Sequence, residues 1–133
     1  MRCLSILLLL FLLSPAPSHA GEPLSAEEFD QYTQGKTLYY GFAGNAYGVE
    51  RYLPGRRVIW SFLDGRCQEG HWYEKAGQIC FLYEHRSDPQ CWSFELTARG
   101  LIARFQSDPQ STQLYEADDA EEDMYCMGPD VGA

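Results

Sequence analysis

The chain has 133 residues, 45% of them apolar and 14% aromatic, with 10 Lys+Arg against 19 Asp+Glu for a formal net charge of -9. That apolar content in a chain of one domain's length excludes an intrinsically disordered protein, and the lack of a long apolar run beyond the N-terminus excludes a helical membrane span. Phosphate backbones demand clustered Lys and Arg, so no nucleic acid is expected as a partner.

Met1-Arg2 opens the chain with a positive charge, Leu4 to Leu13 follows as an almost unbroken apolar run, and Ser18-His19-Ala20 sets small residues where a signal peptidase reads. Residues 1–20 are therefore read as a secretory signal peptide cleaved after Ala20, which sends the protein to the periplasm or out of the cell. Cys3 precedes the apolar run and leaves with it. Residues 21–115 are read as a single β domain and 116–133 as an acidic C-terminal tail.

Ser25 begins Ser-Ala-Glu-Glu, a pattern in which the Ser25 hydroxyl accepts from the Glu28 amide while the Glu28 carboxylate accepts from the Ser25 amide. Gly35 closes the segment, so the sequence predicts one short helix over 25–34. Its Phe29 and Tyr32 form an apolar edge able to lie across an open sheet or a barrel end. From there turn signals recur every 8 to 12 residues, at Gly35, Gly44, Gly55, Gly65, Gly77, Asp88-Pro89, Gly100 and Asp108-Pro109. Strands of about six residues joined by tight turns have this rhythm. Eight antiparallel strands of an all-β meander are predicted near 37–42, 47–53, 57–63, 67–74, 78–84, 90–96, 100–106 and 112–116. Closure into a small barrel is expected because it removes exposed edges; an open meander and a two-layer sandwich are the alternatives.

Residues that face each other across an antiparallel pair lie on the same side of the sheet, which tests each hairpin. A tight turn at Lys75-Ala76 sets Trp72 opposite Ile79 and Gly70 opposite Phe81, the glycine leaving room for the ring. Placing Cys80 opposite Cys91 sets Ile79 opposite Trp92. Between the third and fourth strands, Asp64-Gly65 as a two-residue turn would put Trp60 and Trp72 on opposite faces. A three-residue loop, Leu63 to Gly65, with Gly65 left-handed, restores agreement. The expected core is Val58, Trp60, Phe62, Trp72, Ile79, Phe81, Trp92, Phe94, Leu96 and Phe105.

Four cysteines remain after the signal, an even number in an exported chain, so two disulfides are expected. Cys80 and Cys91 face each other on adjacent strands. Cys67 falls opposite Glu84, four residues from the position facing Cys80, an offset of roughly 13 Å that no disulfide spans. Cys80–Cys91 and, by elimination, Cys67–Cys126 are the expected bonds, the second tethering the tail.

No G-x-S-x-G or Cys/His nucleophile signature occurs, and the glycines punctuate strands instead of leading into a helix that could hold phosphate. The cysteine spacing contains no C-x-x-C, and His71 and His85 read as solvated side chains. No catalytic residue, metal or cofactor is therefore expected, and the protein is read as a non-enzyme. Glu69, Glu74, Glu84 and Glu95 are the carboxylates a glycan hydrolase would need, but the register turns them outward or into turns. Two features suit recognition. Tyr39 to Gly48 holds four aromatics, Tyr39, Tyr40, Phe42 and Tyr47, among three glycines, as binding loops do. Glu116, Asp118, Asp119, Glu121, Glu122 and Asp123 place six acids within eight residues. The plainer readings are a hairpin packed on the core and a solvated tail.

The stretches Tyr47-Gly48-x-Glu50-x-Tyr52-Leu53-Pro54-Gly55-Arg56-Arg57-Val58-x-Trp60-x-Phe62, Gly70-x-Trp72-Tyr73, Ile79-Cys80-Phe81-x-Tyr83-Glu84 and Gln90-Cys91-Trp92-x-Phe94 resemble a group of small exported bacterial proteins of unassigned activity. The resemblance spans roughly residues 24 to 131 and implies an exported β domain of a bacterial envelope, with no catalytic residue. In outline the plan also resembles small periplasmic barrels that inhibit lysozyme, an analogy of architecture alone. The leading expectation is a monomeric, non-enzymatic binding protein whose acidic and aromatic surface engages a cationic envelope protein. The alternatives are a calycin-like barrel holding a small ligand, a lysozyme-inhibitor-like protein and a glycan hydrolase.

Overall fold

The computed structural model describes residues 21–108, 110, 112–118 and 124–127. The expected signal peptide, and Asp119, Glu121, Glu122 and Asp123 of the expected acidic surface, lie outside the described residues. One helix, α1 (Ala26–Thr33), precedes eight strands: β1 (Thr37–Phe42), β2 (Asn45–Leu53), β3 (Arg57–Ser61), β4 (Cys67–Lys75), β5 (Gln78–Tyr83), β6 (Gln90–Thr97), β7 (Gly100–Phe105) and β8 (Gln113–Ala117). Each strand pairs antiparallel with the next, and β8 pairs with β1, so the meander closes into a barrel. Among the described residues no helix is long and apolar enough to cross a membrane. Glu116, read above as the first residue of the tail, is part of β8.

Turn chemistry sets the register. Ala76 and Gly77 both take positive φ, 51° and 78°, the pair of conformations a two-residue hairpin turn matched to strand twist requires. The turn therefore falls one residue later than Lys75-Ala76. Trp72 faces Phe81 and Gly70 faces Tyr83, not Ile79 and Phe81 as expected. The slip is an even number of residues, so the same side chains still point inward. It also moves Glu84 from opposite Cys67 to beside Glu69, whose carbonyl accepts from the Glu84 amide. Between β3 and β4, Trp60 faces Gln68 and Ser61 faces Cys67, the register of the three-residue loop, and Gly65 is left-handed at φ 81°. Ile79 faces Trp92 and Cys80 faces Cys91.

Two disulfides form, Cys80–Cys91 across β5 and β6 and Cys67–Cys126 from the start of β4 to the C-terminal segment. Beside the second bond the Met127 amide donates to the Gly65 carbonyl, so residues 124–127 are fastened to the β3–β4 loop.

An up-and-down barrel sends alternate hairpins to opposite ends. The β2–β3, β4–β5 and β6–β7 turns share one end with α1, and that end is closed. The Ser25 hydroxyl and the Glu28 carboxylate exchange hydrogen bonds with each other's amides, forming the expected capping box. This start aims Phe29 inward, where it is fully buried with ring centroids 4.6 to 6.3 Å from Phe94, Trp72, Tyr52 and Phe81. Arg56 lies over Trp72 at 4.5 Å from the ring. The Gly35 amide donates to the Tyr52 carbonyl and the Leu24 amide to that of Phe94.

Of the expected core, Val58, Trp60, Trp72, Ile79, Phe81 and Phe94 are buried, and Trp92 and Phe105 are half-buried. Phe62 and Leu96 are 48% and 44% exposed. Alternation decides which side of a sheet a residue faces, not its depth along the barrel, and these two sit at opposite rims. β3 ends at Ser61, leaving Phe62 beyond the last strand pair, while Leu96 is next to the last pair before the β6–β7 turn.

Candidate functional site

The opposite end of the barrel, where the β1–β2, β3–β4, β5–β6 and β7–β8 connections lie, has no helix across it among the described residues. A cavity of about 280 Å³ enters the barrel there, just below the roughly 300–1,000 Å³ range of ligand pockets. Tyr47, Trp60, Phe62, Trp92, Phe94 and Phe105 supply aromatic walls, and Gln68, Arg86, Gln90 and Thr112 add polar groups. The inner lining carries Tyr40, Glu50, Tyr52 and Tyr83.

Glu50 is the unusual member. It sits on β2 opposite Trp60 on β3 and Leu38 on β1, and is only 2% exposed. The Tyr83 hydroxyl lies 3.0 and 3.2 Å from its two oxygens and has one proton to donate between them. Among the described residues Glu50 has no ion-pair partner. Burial therefore holds its carboxyl well above the usual range, opposed by the hydrogen bond from Tyr83. Burial, reinforced by the charge of Glu50, also raises the Tyr83 hydroxyl. Beside them the Tyr40 and Tyr52 hydroxyls share a hydrogen bond of 2.8 Å, and both are pushed up, chiefly by burial.

Trp60 adds a second anomaly, because its indole Nε1 is buried with no acceptor among the described residues. An unsatisfied buried donor costs about 1–3 kcal/mol and calls for an explanation at the site. Gly48 sets the ring's position, since a Cβ there would collide with the indole and with the Ser61 carbonyl. One extra residue on β2, Tyr47, faces the step between Tyr40 and Gly41, and this bulge accompanies the seating of Tyr47 against Trp60 and Phe62 at 5.9 and 5.7 Å.

The expected recognition surface is divided. Tyr40 is 4% exposed and inside the barrel, so it is not a surface residue; the β-bulge and strand alternation send it inward. Tyr47 lines the cavity, Tyr39 is half-buried, and Phe42 is exposed. Glu116 accepts from the Tyr32 hydroxyl and the Leu101 amide, both at 2.8 Å, which ties α1 to the barrel at the closed end. That contact, after burial, pushes the Tyr32 hydroxyl up to about 12. Asp118 is exposed just past β8. Among the four carboxylates considered for hydrolysis, Glu69 and Glu84 share a groove on the barrel's outer wall with His71, Glu74 accepts from the Gly77 amide, and Glu95 is paired with Arg104 at 2.8 Å.

Sequence reasoning passed over Glu50, Tyr52 and Tyr83 as a group. A signal was there: the short Pro54-Gly55-Arg56 connection sets Leu53 opposite Arg57, so Tyr52 and Glu50 share the face of Val58 and Trp60, both assigned to the core. No protein-family model, curated protein or solved structure matches this chain.

Proposed function

We propose that the protein is an exported, non-enzymatic binding protein that holds a small, largely aromatic or apolar ligand in the open end of its barrel. The observation that carries this reading is the cavity itself, a concave aromatic chamber with a few convergent polar groups, which is the usual form of a ligand site. Export rests on the signal-like N-terminus and is supported by the two disulfides. Binding in the chamber is favoured over engagement of a protein through the β1–β2 hairpin because that hairpin turns Tyr40 inward and Tyr47 to the cavity.

The test is native mass spectrometry of the protein recovered gently from its own cells, with tryptophan fluorescence of the stripped protein titrated with small aromatic compounds. The expected result is a non-covalent adduct of up to a few hundred daltons, and quenching that Ala103→Leu weakens, since Ala103 lines the cavity. A bare monomer whose fluorescence no aromatic compound alters overturns the reading.

A further inference from the structure

Resting on that reading, we propose that the ligand is a small organic cation, an aromatic or apolar body bearing a protonated amine or quaternary nitrogen. Its charge would be seated against Glu50 and enclosed by aromatic faces. Glu50 is nine-tenths buried, lines the cavity, and has a tyrosine hydroxyl but no cation beside it among the described residues. A carboxyl in that position is costly when ionised and alone, and the cost is relieved by a positive partner brought in from outside. The surrounding aromatic rings carry negative quadrupoles on their faces, which attract the same charge.

Charge and proton are then coupled. The titratable or charged groups lining the cavity with Glu50 are Tyr40 on β1, Tyr47 and Tyr52 on β2, Tyr83 on β5 and Arg86 after β5; the lining residues of β3, β4, β6, β7 and β8 are uncharged. Burial keeps Tyr40, Tyr52 and Tyr83 protonated, and Arg86 is exposed at the rim, so Glu50 is the group that changes charge. Burial favours its neutral form in the empty pocket. An arriving cation favours the carboxylate, the proton goes to solvent, and affinity therefore rises with pH until the empty pocket is itself ionised.

Three probes with one phenoxy body test this: 2-phenoxyethylammonium, neutral 2-phenoxyethanol and anionic phenoxyacetate, each titrated against tryptophan fluorescence, with calorimetry in two buffers of different ionisation enthalpy. The expected result is that the ammonium binds about tenfold or more tighter than the alcohol, with uptake of its proton by the buffer. Glu50→Gln should abolish both the preference and the proton release, while Tyr83→Phe should retain the preference; thermal unfolding of each variant establishes that it is folded. Equal binding of ammonium and alcohol, tighter binding of phenoxyacetate, or an unchanged preference in Glu50→Gln overturns the cation inference and leaves the ligand-binding barrel standing. Failure of all three probes together with a bare native mass overturns both.

Discussion

The two ends of the barrel are built from the same eight strands and solve opposite problems. At the closed end every aromatic has a neighbour: Phe29 is ringed by Tyr52, Trp72, Phe81 and Phe94, with Arg56 covering Trp72. Its polar groups are also partnered, down to the Tyr32–Glu116–Leu101 cluster that ties helix to sheet. At the open end, among the described residues, a carboxyl is buried without a cation and an indole N–H has no acceptor, beside an aromatic cavity. The Cys67–Cys126 bond braces that end covalently, and Cys80–Cys91 crosses the hairpin that turns there. Stability is concentrated where packing is complete, and the groups held at a disadvantage are gathered where a ligand can reach them.

The sharpest way to break this contrast is to empty the closed end. Phe29→Ala should cost about 3–5 kcal/mol because it opens a cavity under α1. Phe62→Ala at the open rim, where the ring is half exposed and touches Tyr47 and Trp60, should cost only about 1 kcal/mol. Denaturant unfolding of the two variants checks this, and similar losses would show that the ends are not distinct. Next in size are the disulfides, where loop closure sets the scale. Removing Cys67–Cys126, with a separation of 59 residues, should cost about 4 kcal/mol. The 11-residue Cys80–Cys91 loop should contribute about 3 kcal/mol. Paired Cys→Ser variants compared by thermal unfolding would reverse this order if the longer loop were already constrained in the unfolded chain.

Glu50→Gln probes the disadvantage at the open end through pH. An acid whose folded value lies above its ordinary 4.5 holds its proton more tightly folded than unfolded. Wild-type stability therefore falls as pH rises above that ordinary value, until the folded group is ionised too. The glutamine variant lacks this loss. Its stability relative to wild type should be unchanged near pH 4 and rise toward pH 8. A pH-independent difference would mean that Glu50 ionises without penalty. The smallest effect belongs to the cap: Ser25→Ala should cost about 1 kcal/mol, read as a modest fall in Tm, since α1 is held chiefly by Phe29 rather than by its own first turn.

The sequence made most of the architecture legible because its signals are local. Ser25 and Glu28 announce the helix start, glycines that accept positive φ mark the hairpins, and period two between them assigns faces. Placing Cys80 opposite Cys91 agreed with that alternation, and the two residues face each other. The Trp72 register was displaced by two residues because choosing between Lys75-Ala76 and Ala76-Gly77 depends on which pair occupies left-handed backbone. Glu50 carries no local sign of burial, since a glutamate in a strand is ordinarily solvated, and only the β2–β3 turn, by placing it opposite Trp60, puts it inside.

By itself, then, the chain determined the strands, their order, the facing of side chains and the Cys80–Cys91 pair, properties carried by neighbours in sequence or across one hairpin, and the Cys67–Cys126 bond followed by elimination. Closure of β8 on β1, the choice of which end α1 would plug, and the depth of each inward residue were decided only in three dimensions. Those three together turn Glu50 from a polar residue in a strand into a buried carboxyl facing an open aromatic chamber. The physical reason is that burial and desolvation belong to the assembled barrel, and no single strand or hairpin contains them.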